Sequence, residues 1–138
     1  NIDFYDDYAH HPTEIKVVLD GVEKVYHGYD KVCVFQPHRI SRLKDLRKEF
    51  SMAFKNADIV ILCPIYTAGE KIKLGFSYNN FAKEIIKNSK VKLYLVNDNI
   101  QLAKFLKKNM FGKKIVIGMG AGSISNWMRK LPKLMQWI

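Results

Sequence analysis

Apolar positions along this chain switch between two spacings. Ile2 to Tyr5 is a short strand-like run, and Pro12 follows where a first helical turn tolerates a missing N–H. Ile15, Val18, Leu19, Val22 and Val25 then recur at helical spacing and form one apolar stripe. Lys31 to Phe35 predicts a second strand. Ile40, Leu43, Leu46, Phe50 and Phe54 predict one further helix. Ala57 to Leu62 is almost continuously apolar, as suits a strand buried on both faces. A loop with Pro64, Gly69 and Gly75 comes next. Phe81, Ile85 and Ile86 mark a helix, and Val91 to Val96 a fourth strand. Asn97, Asp98 or Asn99 is placed to cap the helix that carries Leu102, Phe105, Leu106 and Met110, and Gly112 is placed to end it. Lys114 to Gly118 predicts a fifth strand. The run Gly118-Met119-Gly120-Ala121-Gly122 then leads into a last helix with Ile124, Met128, Leu131 and Met135.

Strand and helix alternate five times. That order predicts an α/β fold: a three-layer, Rossmann-like, open and mainly parallel sheet with helices on both faces. The 138 residues form one domain, 1–138, with no internal repeat, linker or low-complexity segment. In such sheets ligands bind beyond the carboxyl ends of the strands. The chemically unusual segments all fall there. They are Asp6 to His11, Gln36 to Arg42, Pro64 to Glu70 and the glycine run.

Composition narrows the picture. No apolar run approaches the roughly 18 residues that span a bilayer, and no secretory leader pattern opens the chain, so no membrane partner is expected. Cys33 and Cys63 each lie in an apolar strand-like run. They read as buried free thiols, which fits a reducing cytoplasm, and neither has zinc-site spacing. The net charge of +10 is uneven: residues 1–69 hold nine Lys or Arg against ten acids, residues 70–138 fourteen against three. The excess is mostly lysine spread over helix surfaces, with little aromatic interleaving. A solvated face accounts for it, or a general attraction for polyanions such as phosphorylated substrates, and no nucleic-acid partner is expected.

Asp6-Asp7-Tyr8-Ala9-His10-His11 gathers two acids, a phenol and two imidazoles at one turn. An aspartate capping the helix start explains part of it but leaves Tyr8, His10 and His11 without a purpose. The carboxylates also suit ribose hydroxyls, an ammonium group or a metal. Arg39 and Arg42 stand three apart at a predicted helix start, where the macrodipole disfavours cations. They suit a carboxylate or phosphate clamp. Ion pairing with Asp45 or Glu49 is the other reading. Gly120 and Gly122, before Ser123, permit a close backbone approach to a ligand near a helix start. There is no GxxxxGK[ST] phosphate loop and no GxSxG elbow.

Asp6-Asp7-Tyr8-Ala9-His10-His11-Pro12-Thr13-Glu14, Phe35-Gln36-Pro37-His38-Arg39 with Ser41-Arg42, Tyr66 with Ala68-Gly69-Glu70, and Gly120-Ala121-Gly122 together resemble the C-terminal domain of the UDP-N-acetylmuramate–L-alanine ligases, in the muramyl ligase family. The resemblance spans essentially the whole chain. It implies part of an ATP-dependent amide ligase of peptidoglycan synthesis. The UDP-sugar domain and the ATP phosphate-loop domain lie outside these residues. Family chemistry implies ATP and Mg2+ in the full enzyme, an acyl phosphate on the lactyl carboxylate, and attack on it by the alanine amine. The fragment alone is expected to be inactive, to bind neither cofactor and to hold no catalytic residue or metal of its own. By the same resemblance Tyr8 and His10 lie near L-alanine and its amine, and Arg39 and Arg42 hold its carboxylate. Asp7 meets the ATP ribose. Asp6, His11, Gly120, Gly122 and Ser123 line the cleft. Ser123 stands where the family pattern carries Asp. The competing expectation is a standalone nucleotide- or anion-binding α/β module.

Overall fold

A computed structural model describes residues 2–71, 76–109 and 111–138; Gly75 and Met110 lie outside them. The element order is β1 (Ile2–Asp7), α1 (Pro12–Val25), β2 (Asp30–Phe35), α2 (Ile40–Asp45), α3 (Arg47–Met52), β3 (Ile59–Leu62), α4 (Tyr78–Ser89), β4 (Lys92–Leu95), α5 (Asn99–Asn109), β5 (Lys114–Met119) and α6 (Ile124–Trp137). The five strands form one sheet in the order β1-β5-β2-β3-β4. Every pairing is parallel.

Side-chain alternation sorts the sheet into two faces. Cys33, Phe35, Val60, Leu62, Ile115 and Ile117 point to the side covered by α1, α3 and α4, through Ile15, Leu19, Phe50, Phe81 and Ile85. Val32, Val34, Ile61 and Val116 point to the side covered by α5 and α6, through Leu102, Leu106, Ile124, Met128 and Leu131. The Phe35 ring lies 5.6 Å from Phe50 and 5.2 Å from Phe54. All three are fully buried. Each such ring contributes roughly 1.5–3 kcal/mol through burial alone.

Two expectations about elements need correction. The single helix expected from Ile40 to Phe54 is two short helices. Leu46, at φ −112° and ψ 26°, breaks the helical path between them, and Phe54 lies beyond the second. The third strand starts at Ile59 rather than Ala57, because Ala57 closes a turn onto Phe54 and Asp58 turns its carboxylate to the Lys31 N–H at 2.7 Å. Of the three proposed caps for α5 it is Asp98 that serves, its Oδ1 accepting from Gln101 N at 2.8 Å.

Cys33 and Cys63 are fully buried and unpaired with one another. Burial pushes the Cys63 thiol up to about 12 and the Cys33 thiol up as well. Thiolate is therefore scarce at pH 8. Iodoacetamide at pH 8 should leave both unmodified in the folded domain and alkylate both in denaturant, as mass spectrometry would show. Native-state modification would mean that the centre of the sheet opens.

Candidate functional site

β1 runs on to Asp7, so Asp6 and Asp7 end the strand rather than begin the loop. Asp6 Oδ2 accepts from Ser125 Oγ at 2.5 Å, tying the edge strand to α6. Asp7 Oδ1 accepts from Ala9 N at 2.9 Å and shapes the turn. Helix capping, expected of an aspartate, falls to His11 and Glu14. His11 Nδ1 accepts from Thr13 N at 3.3 Å. Glu14 Oε1 accepts from His11 N at 3.0 Å and His10 N at 3.3 Å, closing a reciprocal capping box. The His10 backbone N–H, chiefly, holds the Glu14 carboxyl below the usual carboxylate range. One nitrogen of His11 is thus committed to structure. Tyr8 is exposed. His10 Nδ1 lies 2.9 Å from the Tyr8 carbonyl and donates to it.

Gln36 is buried at the end of β2 and braces the start of α6. Its Nε2 donates to Ser123 Oγ at 2.9 Å, and its Oε1 accepts from Ile124 N at 3.0 Å. Ser123 thereby has a structural partner. The β2–β3 pairing resumes beyond the strands as a parallel bridge between His38 and Tyr66. Tyr66 N donates to Pro37 O and Arg39 N to Tyr66 O, each at 2.8 Å. Arg39 is held at φ 70°, in a region that costs a side-chain-bearing residue roughly 1–3 kcal/mol. Glu70 reaches back from the β3–α4 loop, its Oε1 accepting from Ser41 N at 3.3 Å. Hydrogen bonds from Ser41 hold its carboxyl below the usual range.

Arg39, Ser41, Arg42, Asp45 and Leu46 line an open groove of about 390 Å3. Arg42 Nη1 is sealed from solvent and has no hydrogen-bond partner. Among the described residues neither arginine forms an ion pair, with Asp45, Glu49 or any other acid. Asp45 lines the same groove without pairing with either arginine.

Four rings join the loops after β1, β2 and β3. Tyr8 meets His10 edge-on at 5.1 Å, His10 meets His38 at 6.2 Å, and His38 stacks on Tyr66 at 5.5 Å with 18° between planes. The loop after β5 packs against the far end of that row. A Cβ on Gly122 would fall 2.4 Å from Tyr66 Cγ. Gly120, at φ 152°, would place a Cβ 2.8 Å from the Gln36 carbonyl. The close approach these glycines allow is to Tyr66 and Gln36. Burial, then the charges of Arg42, Arg39 and His10, lower the His38 pKa below its ordinary value. The neutral form of the ring is thereby favoured.

The sheet order explains why these loops meet. β5 lies between β1 and β2, and the helix after β5 goes to the opposite face from the helices after its two neighbours. That is a topological switch, where open α/β sheets bind ligands. The site brings together Tyr8, His10, Arg39 and Arg42, with Gly120 to Ser123 as a wall. It also contains Gln36, His38, Tyr66 and Glu70, to which sequence reasoning gave no role. Their signal was their place immediately after β2 and β3 and their membership of the motifs that carry the resemblance. The arrangement can hold an oxyanion between guanidinium groups beside a row of aromatic and imidazole edges. No group of three or more His, Cys, Asp or Glu able to hold a metal occurs among the described residues. A larger groove, about 460 Å3, runs between β1 and α1 past Tyr5, Val17, Val18 and Val22. Its lining is mostly apolar and includes Asp6 and Asp7 but neither arginine.

Residues 1–122 match the family described as Mur ligase, glutamate ligase domain. The UDP-N-acetylmuramate–L-alanine ligase of Pelagibacter ubique is 72% identical over 131 residues, covering 95% of this chain and 28% of that protein. The enzyme of the same name from Campylobacter jejuni is 38% identical over 137 residues, covering 94% and 30%. The crystal structure of a UDP-N-acetylmuramate-alanine ligase from Thermotoga maritima aligns with a TM-score of 0.72 at 26% identity, over 99% of this chain and 27% of that one. The chain therefore spans under a third of the length of the relatives it matches.

Proposed function

Because the chain belongs to the Mur ligase family, as its glutamate ligase domain, we propose that it is the substrate-positioning C-terminal domain of an ATP-dependent ligase joining L-alanine to UDP-N-acetylmuramate in peptidoglycan synthesis. The observation that carries this reading is the pair Arg39 and Arg42. Both lack an acidic partner among the described residues, and one guanidinium nitrogen is buried with nothing to donate to. A buried, unanswered donor is costly unless a ligand answers it. The carboxylate of an amino acid does so. Tyr8 and the free Nε2 of His10 then stand toward its amine. Asp7, with one carboxylate oxygen used by the turn, has the other for a ribose hydroxyl. Asp6, His11, Gly120, Gly122 and Ser123 support the walls through the contacts described above.

ATP and Mg2+ belong to the whole enzyme under this reading. The donor set here fits neither the triphosphate nor the metal: there is no GxxxxGK[ST] segment, and no metal-holding cluster among the described residues. UDP-N-acetylmuramate and the triphosphate would be held by the other domains, in the cytoplasm. This domain contributes position. Fixing the amine beside an activated carboxyl group removes much of the entropic barrier, roughly 7–11 kcal/mol in the most favourable cases. Closure over the site keeps water from a hydrolysable intermediate.

Full-length protein, mixed with UDP-N-acetylmuramate, L-alanine and ATP, should release ADP and give a product heavier by one alanine residue. The isolated domain should give neither. A full-length protein without L-alanine-dependent turnover would overturn the assignment. Salt-sensitive, tight binding of nucleotide or nucleic acid by the isolated domain would favour a standalone module instead.

A further inference from the structure

We infer that the outer face of α5 and α6, ending in Phe111 and Trp137, is a peripheral docking surface for an anionic lipid bilayer. Residues 99–138 hold eight Lys or Arg and no Asp or Glu. Lys104 and Lys108 stand four apart on α5, and Lys130, Lys133 and Trp137 recur at i, i+3 and i+7 on α6, so each set shares one helical face. All five are exposed. Both helices cover the side of the sheet away from α1. Among the described residues none of these four lysines forms an ion pair. Like charges at that spacing repel and weaken a helix unless a polyanion lies across them. α1 differs. Its Lys16 and Lys24 are interspersed with Glu14, Asp20 and Glu23, the mixture carried by a face that meets only water.

Topology brings the two rings to one pole. α5 ends where β5 begins, and α6 runs back from the end of β5, so both helices finish at the amino ends of the strands. The Lys107 ammonium, donating to the Ile138 carbonyl, joins the two ends. There Phe111 is 74% and Trp137 78% exposed. Such rings beside lysines fit the headgroup boundary of a bilayer, where apolar side chains insert and cations meet lipid phosphates. Nucleic acid fits less well, because bases stack on rings that line a groove and these protrude. The candidate site lies at the opposite pole, beyond the carboxyl ends of the strands, so a bilayer at this end leaves it uncovered. Surface docking needs no membrane-spanning helix, and none is present among the described residues. The expectation of no membrane partner therefore holds for spanning and not for the surface.

The experiment mixes full-length protein with vesicles of phosphatidylcholine, alone or with about one third phosphatidylglycerol, and sediments them. The protein should sediment with the anionic vesicles only, and about 0.5 M NaCl should release it. Lys130→Glu with Lys133→Glu should weaken partitioning at least about 25-fold, since each lysine near an anionic surface is worth about fivefold. Lys16→Glu with Lys24→Glu makes the same change in net charge on α1 and should stay within about twofold. Thermal unfolding checks that both fold. Trp137→Phe should remove most of the tryptophan quenching produced by brominated lipid in the anionic vesicles. A wild type that stays in solution, equal losses in the two charge-reversed pairs, or quenching unchanged by Trp137→Phe overturns the proposal. Duplex DNA held more tightly than the vesicles, with the same dependence on Lys130 and Lys133, overturns it in favour of nucleic acid. Should a charge-reversed pair fail to fold, the quenching result decides alone. No outcome depends on turnover of L-alanine, so the proposed function is tested separately.

Discussion

Arg42→Ala in the full-length enzyme should raise the KM for L-alanine by about 100-fold, with the KM for ATP changed no more than a few-fold. The magnitude follows from truncating one side of a sequestered, hydrogen-bonded charge pair, which costs roughly 2–5 kcal/mol. Arg42 is partly buried and its Nη1 is already dehydrated before any ligand arrives. The desolvation that would otherwise oppose binding has been met in folding. Arg39→Ala should act in the same direction and less strongly, because Arg39 is exposed. Arg39→Gly adds a control: it removes the charge and relieves the φ 70° conformation, so binding should fall while thermal stability does not. Steady-state kinetics with each substrate varied in turn reads all three. Equal losses for L-alanine and ATP would remove the carboxylate clamp from the account.

A single methyl group at Gly122 should cost about 1–3 kcal/mol, the range for overpacking a tight site. The built Cβ falls 2.4 Å from Tyr66 Cγ and 2.8 Å from Tyr66 Cβ, so the ring must leave its place. Tyr66 is 40% exposed, so its ring can swing outward, while the 2.8 Å contact with its Cβ needs a small backbone shift as well. The swing removes the stack on His38, so Gly122→Ala should also weaken L-alanine binding at a distance from the clamp. Thermal denaturation of the domain checks the first effect. A Tyr66→Ala background checks the cause, since the added methyl should then cost less, with only the 2.8 Å contact to the residue 66 Cβ left. A methyl equally damaging without the Tyr66 ring would point to some other clash.

Much of this was legible in residue patterns, and the failures have physical causes. β2 was bounded to within one residue because Val32 to Phe35 is buried on both faces and reads as a continuous apolar run. β1 was cut short because it is an edge strand whose last residues, Asp6 and Asp7, are polar. Their backbones nonetheless pair with Gly118 and Met119. The break at Leu46 was invisible because Leu43, Leu46 and Phe50 keep a helical spacing across it. The arginine pair could be placed at a helix start from spacing alone. The row from Tyr8 to Tyr66 could not, since it depends on which strands are neighbours, and periodicity carries no strand order. His11 was passed over as a cap because imidazole is an uncommon one, although Glu14 three residues on gave half of the capping-box signal.

The position of β5 also sets a timetable. Among the described residues β1 pairs with β5 alone, across more than a hundred intervening residues. During synthesis, β2, β3 and β4 can assemble with their helices while β1 still has no strand to join. Only when residues 114–119 leave the ribosome does the first strand dock, and only then do Tyr8 and His10 reach His38. Pairing over such a span is slow, because chain closure must precede the reward of contact. Until then the nascent chain carries a half-built sheet with open edges on β2 and β4, a state that invites association with other chains. The candidate site is consequently completed only after most of the sheet, when β5 and β1 have joined it.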